Sequence, residues 1–194
     1  QFLRPICEPC EIGTEYATEI WNGGISVCQP VTEGTYSLDG RNLIDLPDNS
    51  TVSNISPYFT CNDGYKKGSG LFCEECSIGT AGTGGTCNPC DPENSYQDEV
   101  GQTECKSLPS NSTSTIISDL STNFQCNDGY QKTSDGVSCE PCPQGYAGTY
   151  GICNMTCDPN QKVNSERTEC QDCPENSNPS DDRTYCICDE GYYM

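Results

Sequence analysis

The text Cys126-Asn127-Asp128-Gly129-Tyr130, leading to Cys139-Glu140-Pro141-Cys142, constrains this chain more than any other feature. It also stands at Cys61-Asn62-Asp63-Gly64-Tyr65, leading to Cys73-Glu74-Glu75-Cys76, and again at Cys188-Asp189-Glu190-Gly191-Tyr192. A fixed internal period decides architecture before any single residue does. Here the repeated letters are cysteines, 18 in 194 residues, and the hydrophobic residues come to only 32% with those cysteines counted. One large core cannot be built from that supply. Crosslinks must replace it, each loop of about 15 residues being worth roughly 3 kcal/mol when closed. The expected fold class is small, disulfide-rich and mainly irregular or β: an elongated tandem of cysteine-rich modules with short hairpins.

Three copies can be laid out. Copy 1 covers 1–72 and includes a long cysteine-free stretch, 29–60, read as a loop or short hairpin that packs on a neighbouring module. That stretch holds Leu43, Ile44, Leu46, Val52 and Ile55, the richest local apolar supply. Copy 2 covers 73–138 and copy 3 covers 139–194, whose last loop is open. Leu46-Pro47-Asp48-Asn49-Ser50-Thr51 is echoed by Leu108-Pro109-Ser110-Asn111-Ser112-Thr113. No amphipathic helix of useful length is visible, and Gly, Pro, Asn and Ser punctuate the chain throughout, which predicts turns and two-stranded hairpins.

Comparing the copies suggests pairings, because a bond that is gained or lost changes two cysteines together. Copy 1 lacks counterparts of Cys90 and Cys105, so these are expected to pair, as are Cys157 and Cys170. Cys173 and Cys186 occur together in copy 3 alone and are expected to pair. Cys87 and Cys153 match Cys28, which gives Cys10–Cys28, Cys76–Cys87 and Cys142–Cys153; the Gly-Tyr loops close as Cys61–Cys73 and Cys126–Cys139. Cys188 and Cys7 are left over. Six residues follow Cys188 and six precede Cys7, close to the interval inside the intact Gly-Tyr loops. The chain therefore reads as one period cut from a longer tandem protein, as a protomer joined to the next by a Cys188–Cys7 bond, or as a string of modules closed on itself.

Disulfides on this scale persist in oxidising compartments, so a secreted, extracellular location is expected. Four Asn-x-Ser/Thr sequons, at Asn49, Asn54, Asn111 and Asn154, predict N-linked glycans. No signal peptide and no apolar run of transmembrane length is present in the sequence. The net charge of −20, with 29 acidic and nine basic residues, excludes a basic face for nucleic acid. It predicts solubility and mutual repulsion, with diffuse cation binding as the functional alternative.

Chemistry is hard to place. Histidine is absent, which removes most triads and general acid–base designs. Cys-x-x-Cys at 7/10, 73/76, 87/90, 139/142 and 170/173 would suggest zinc or redox work in a cytosolic chain, but in this background reads as structural disulfides at module junctions. No catalytic residue, metal site or cofactor is expected. Tyr65, Tyr130 and Tyr192, the tyrosines of the Gly-Tyr pairs, are expected to pack over the adjacent disulfides.

Cys186-Ile187-Cys188 followed by Gly191-Tyr192 resembles the C-terminal half of an EGF-like domain. Cys76-Ser77-Ile78-Gly79-Thr80 and Cys142-Pro143-Gln144-Gly145-Tyr146 resemble the opening loop of tumour-necrosis-factor-receptor-like and ephrin-receptor-like cysteine-rich repeats, which also abound in large protist surface proteins. Copies 1 and 2 lack the Cys-x-Cys, so complete EGF pairing does not transfer, and the calcium-binding EGF signature is missing. The resemblance implies an extracellular module class. With the open Cys188 and Cys7 it leads to two expectations: the protomer of a glycosylated, mastigoneme-like fibre or surface appendage, whose partners are copies of itself, or a ligand-binding or adhesion fragment of a receptor-like ectodomain.

Overall fold

The structure is a computed structural model that describes residues 9–20, 25–54 and 58–193. Among the described residues there is no helix, and every sheet is a two-stranded antiparallel hairpin. The chain divides into two compact units. One comprises Gln1–Pro89 with Glu99–Cys105, the other Cys90–Asp98 with Lys106–Met194. This division differs from the three copies of similar sequence, which cut the chain at 72 and 138.

In the first unit the hairpins pair Glu15–Ile20 with Ile25–Pro30, Thr35–Tyr36 with Ile44–Asp45, Ser50–Val52 with Phe59–Cys61, Tyr65–Lys67 with Cys73–Glu75, and Thr80–Ala81 with Asn88–Pro89. In the second they pair Ser95–Tyr96 with Lys106–Ser107, Ser112–Ile117 with Leu120–Cys126, Tyr130–Lys132 with Cys139–Pro141, Tyr146–Thr149 with Ile152–Thr156, Gln161–Val163 with Cys170–Asp172, and Ser177–Pro179 with Cys186–Cys188. Strands this short form because turn residues recur before an apolar run can lengthen. Alone, such a ribbon is marginal in water. Crosslinks and neighbouring hairpins must hold each one.

The stretch 29–60, read above as one loop or hairpin, holds a complete short hairpin and most of a second. Its buried residues are not the aliphatic ones that stand out in the sequence. Leu43, Ile44 and Val52 are exposed, whereas Tyr36 and Phe59 are buried, with their rings edge to face at 5.8 Å between centroids. Leu46, Tyr58, Tyr65 and Cys73 pack around them and Cys61. Ile55 lies outside the described residues. The second unit repeats the arrangement: Tyr96 meets Phe124 edge to face at 5.2 Å, beside Cys126, with Leu108, Tyr130 and Cys139 around them. Lys67 and Lys132 lie over the Phe59 and Phe124 rings, 5.8 and 4.0 Å from the centroids, a favourable placement for a cation. A third cluster keeps the position but loses the rings, with Ala147, Cys157 and Val163 buried and Cys170 beside them.

Candidate functional site

The recurring Cys-Asn-Asp-Gly-Tyr sequence is a joint between hairpins, and each of its residues has a separate task. Gly64 and Gly129 have φ of +80°, a left-handed conformation that costs an L side chain about 1–2 kcal/mol. Space forbids a side chain as well: a Cβ on Gly64 would lie closer than 3.0 Å to the Gly101 carbonyl oxygen, and one on Gly129 equally close to that of Glu166. The Gly129 N–H donates to the Gly148 carbonyl at 2.9 Å, and the Gly148 N–H donates onward to Arg167 at 2.9 Å. Gly64, Gly82 and Gln102 make the matching series at 2.8 and 3.1 Å. Successive hairpins in each unit are therefore laced through their backbones.

Asp63 and Asp128 cap the tip of a following hairpin. The Asp63 carboxylate accepts from the Gly84 N–H at 2.9 Å, and that of Asp128 from the Tyr150 N–H at 2.7 Å. The cysteines' neighbours reach backwards: the N–H groups of Asn62 and Asn127 donate to the carbonyls of Asn49 and Asn111, at 2.8 and 2.9 Å. Tyr65 and Tyr130 are half-buried and pack in the clusters that contain Cys73 and Cys139. Tyr192 differs, being 58% exposed.

The structure joins Cys10 to Cys28, Cys61 to Cys73, Cys76 to Cys87, Cys126 to Cys139, Cys142 to Cys153, Cys157 to Cys170, and Cys173 to Cys186. Their Cα–Cα distances run from 5.4 to 5.7 Å, ordinary for the bond. Cys90 and Cys105 are also oxidised. Cys188 is half-buried and carries a free thiol, while Cys7 lies outside the described residues. Gly191, three residues after Cys188, has φ of +93°, and the Asp189 N–H donates to the Asn176 carbonyl at 2.8 Å. The final Cys-x-x-Gly-Tyr thus adopts the opening geometry of the two complete joints.

Asn49, Asn54, Asn111 and Asn154 are all exposed. Asn49 and Asn111 have φ of +57° and +58°, so they fill the left-handed turn position that glycine fills elsewhere, as asparagine can at small cost.

Two residues that a reading of cysteines passes over are Arg167 and Arg183. Both have positive φ, 58° and 54°, and both turn the guanidinium back into the repeat. Arg167 Nη1 donates to the Cys142 carbonyl at 2.8 Å, and Arg183 Nη1 to the Cys157 carbonyl at 2.9 Å. In the first unit the Gly101 N–H serves the equivalent Cys76 carbonyl. The signal was a repeated Arg-Thr-x-Cys, at 167–170 and 183–186.

The acidic residues are spread over turns rather than gathered. Among the described residues no three Asp, Glu, Cys or His side chains converge on a metal-sized site, and no helix is long and apolar enough to cross a membrane. Several turn acids are held as carboxylates by their own loops. The Asn42 and Arg41 N–H groups, the Asn42 amide and the Ser37 hydroxyl lower Asp39 to about 2. The Asn94 amide and the Glu93 N–H lower Asp91. The Thr133 hydroxyl does so for Asp135 and the Ser180 hydroxyl for Asp182, with backbone N–H groups adding to both. Hydrogen bonds to a charged form favour it. These acids are turn locks, and none has the raised affinity for protons that general acid work needs.

No protein-family model matches the chain. It is 25% identical over 183 residues to the mouse "Sushi, von Willebrand factor type A, EGF and pentraxin domain-containing protein 1", covering 80% of this chain and 5% of that one. The rat protein of the same name is 25% identical over 180 residues, covering 78% and 5%. The chain thus spans about one-twentieth of the length of these curated relatives. Together with the disulfide density, the likeness places it among cysteine-rich repeats of the extracellular type.

Proposed function

We propose that the chain is a structural segment of a secreted or cell-surface protein: a run of disulfide-closed hairpins that spaces and presents other parts of an extracellular assembly and performs no catalysis. The observation that carries this reading is the joint at Cys188. A thiol, an Asp189 N–H that reaches back to the Asn176 carbonyl as Asn62 and Asn127 reach back in the complete joints, and a left-handed Gly191 are poised to begin a further hairpin. A module that adds to its neighbour through backbone bonds and one new disulfide extends by repetition, as stacked repeats do. In this reading the cysteine that closes Cys188 belongs to further sequence of the same protein, and the likeness to much longer multidomain proteins supports it.

A second reading rests on the same thiol. The closing cysteine is Cys7 of another copy, and the product is a head-to-tail glycosylated fibre, since a heterologous contact that does not close generates an open filament. Non-reduced peptide mapping of the native material separates the two. A Cys188 peptide linked to sequence absent from these 194 residues supports the segment. A link to the Cys7 peptide, with a ladder of covalent multimers on non-reducing electrophoresis, supports the fibre. A free thiol at Cys188 in native material overturns both as covalent schemes.

A further inference from the structure

The second unit contains a solvent-open polar groove of about 560 Å³ beside the Asn111 sequon. Thr113, Gln125, Asp128, Tyr150, Glu166 and Thr168 line it. Its most unusual member is Tyr150. The residue has φ of +54°, where a bulky L residue is rarely found, yet it is 76% exposed and fills no core. Both of its backbone polar groups are held: its N–H donates to Asp128 at 2.7 Å, and its carbonyl accepts from Gln125 Nε2 at 2.7 Å. The ring is thus an exposed aromatic on a clamped backbone, at the rim of a groove otherwise made of hydroxyls, amides and carboxylates. Tyr150 and Gly151 are the two residues of the hairpin turn between Thr149 and Ile152, and such a turn needs positive φ at both; the turn accounts for the backbone but not for a large exposed ring where a small turn residue would serve.

The other copy supplies a control. There the hairpin tip held by Asp63 begins at Gly84, and the residue against the joint glycine is Gly101 where the second unit has Glu166. The two positions that are Tyr150 and Glu166 near Asn111 are thus both glycines in the unit that carries the Asn49 sequon. The two sequons are otherwise alike, since Asn49 and Asn111 share the left-handed turn and accept a hydrogen bond from Asn62 and Asn127 respectively. Asn111 is also tied to the groove through its own sequon: the Thr113 hydroxyl donates to Asn127 Oδ1 at 2.7 Å.

A surface that pairs one exposed ring with convergent hydroxyl, amide and carboxylate groups suits a ligand that has apolar C–H faces and many hydroxyls. We infer that this groove is a saccharide-binding site and that its occupant is the chain's own N-linked glycan on Asn111, laid against Tyr150. The Asn49 glycan has no such wall and stands free. The inference rests on the reading of the chain as a secreted, glycosylated protein.

The test uses the full chain secreted from eukaryotic cells. Glycopeptide mapping first establishes which sequons are occupied, and the native protein is then treated with a peptide N-glycosidase while release at each site is timed. Release at Asn111 is expected to be slower than at Asn49 by about threefold to tenfold, the ratio that one aromatic contact gives. Tyr150→Gly places in copy 3 the residue that copy 2 has at this tip and relieves the left-handed strain. It is expected to bring Asn111 to the Asn49 rate and leave Asn49 unchanged. Equal rates in the wild-type protein, or a slow Asn111 rate that survives Tyr150→Gly, would overturn the inference. Equal rates with Tyr150-dependent binding of a free high-mannose oligosaccharide would assign the groove to another molecule's glycan, and so overturn self-occupancy. An empty Asn111 with the other sequons filled refutes this inference alone, whereas four empty sequons also remove the glycosylated reading beneath it.

Discussion

Gly129→Ala tests whether hairpin-to-hairpin lacing holds the repeat, with Gly136→Ala as its control. Both glycines are left-handed, with φ of +80° and +74°, so both substitutions carry the conformational cost of about 1–2 kcal/mol. They differ in what a methyl group would meet. At Gly136 nothing lies within 4 Å. At Gly129 the Cβ would be closer than 3.0 Å to the Glu166 carbonyl oxygen and 3.4 Å from Arg167 Cβ. The first of these is backbone and cannot swing away. Moving it strains the bonds from the Gly129 N–H to Gly148 and from the Cys142 N–H to Gly129. Overpacking of this kind adds about 1–3 kcal/mol. Gly129→Ala should therefore cost about 2–5 kcal/mol in all, and Gly136→Ala no more than about 2 kcal/mol. A single global unfolding energy is poorly defined for a crosslinked repeat, so the assay is native-state hydrogen exchange with the disulfides intact. The amides of Gly129, Cys142 and Gly148 should lose about tenfold or more in protection in Gly129→Ala relative to Gly136→Ala. Equal losses in the two variants would refute the lacing and leave the support to the disulfides and the small buried clusters.

Three further outcomes are expected. Phe124→Ala should destabilise the Tyr96–Phe124 cluster by about 3 kcal/mol, because it empties the middle of a core that has few other members; hydrogen exchange of the Gln97 and Leu108 amides, bonded to the Ser121 and Asn94 carbonyls, reads it, and unchanged protection would show that the cluster carries nothing. Arg167→Ala should cost about 1–3 kcal/mol through the bond lost to the Cys142 carbonyl, and Arg167→Gly should recover part of that by relieving the left-handed strain; if the two variants are equal, the backbone strain at 167 is not felt. For Asp39 the folded value of about 2 lies below the ordinary 3.8, so the stabilisation of its loop is fully present above the ordinary value and fades as pH falls toward 2. The Arg41 and Asn42 amide signals should titrate with a midpoint near the folded value, and a midpoint near the ordinary carboxylate value would sink the turn-lock account.

The lack of helix among the described residues and the many short hairpins were legible in the sequence, because turn residues recur too often for a longer element to form. What escaped is a shorter recurrence inside the copies. The copies 1–72, 73–138 and 139–194 stand out because cysteines and the Gly-Tyr letters repeat, while similar turns and clusters also recur from hairpin to hairpin. That shorter period is conformational rather than literal. Its left-handed residue is glycine at Gly64 and Gly129 but asparagine at Asn49, Asn111 and Asn176. Its buried ring is tyrosine at Tyr36 and Tyr96, and the corresponding cluster further on is built on Val163. No letter is kept, so no letter announces the period. The same reason hid the core, since hydrophobicity alone points to Leu43, Ile44 and Val52 while the hairpin pleat buries Tyr36 and Phe59. The cysteines, their expected partners and the sequons of the candidate site could be named from the sequence, but not the hydrogen bonds that link one hairpin to the next. Asp128 reaches Tyr150 across 22 residues and Arg167 reaches Cys142 across 25, and these separations span whole hairpins. In a protein with almost no core, the specificity of the fold lies in such contacts. Because they join neighbours to one another, each hairpin is specified only when its neighbour is present.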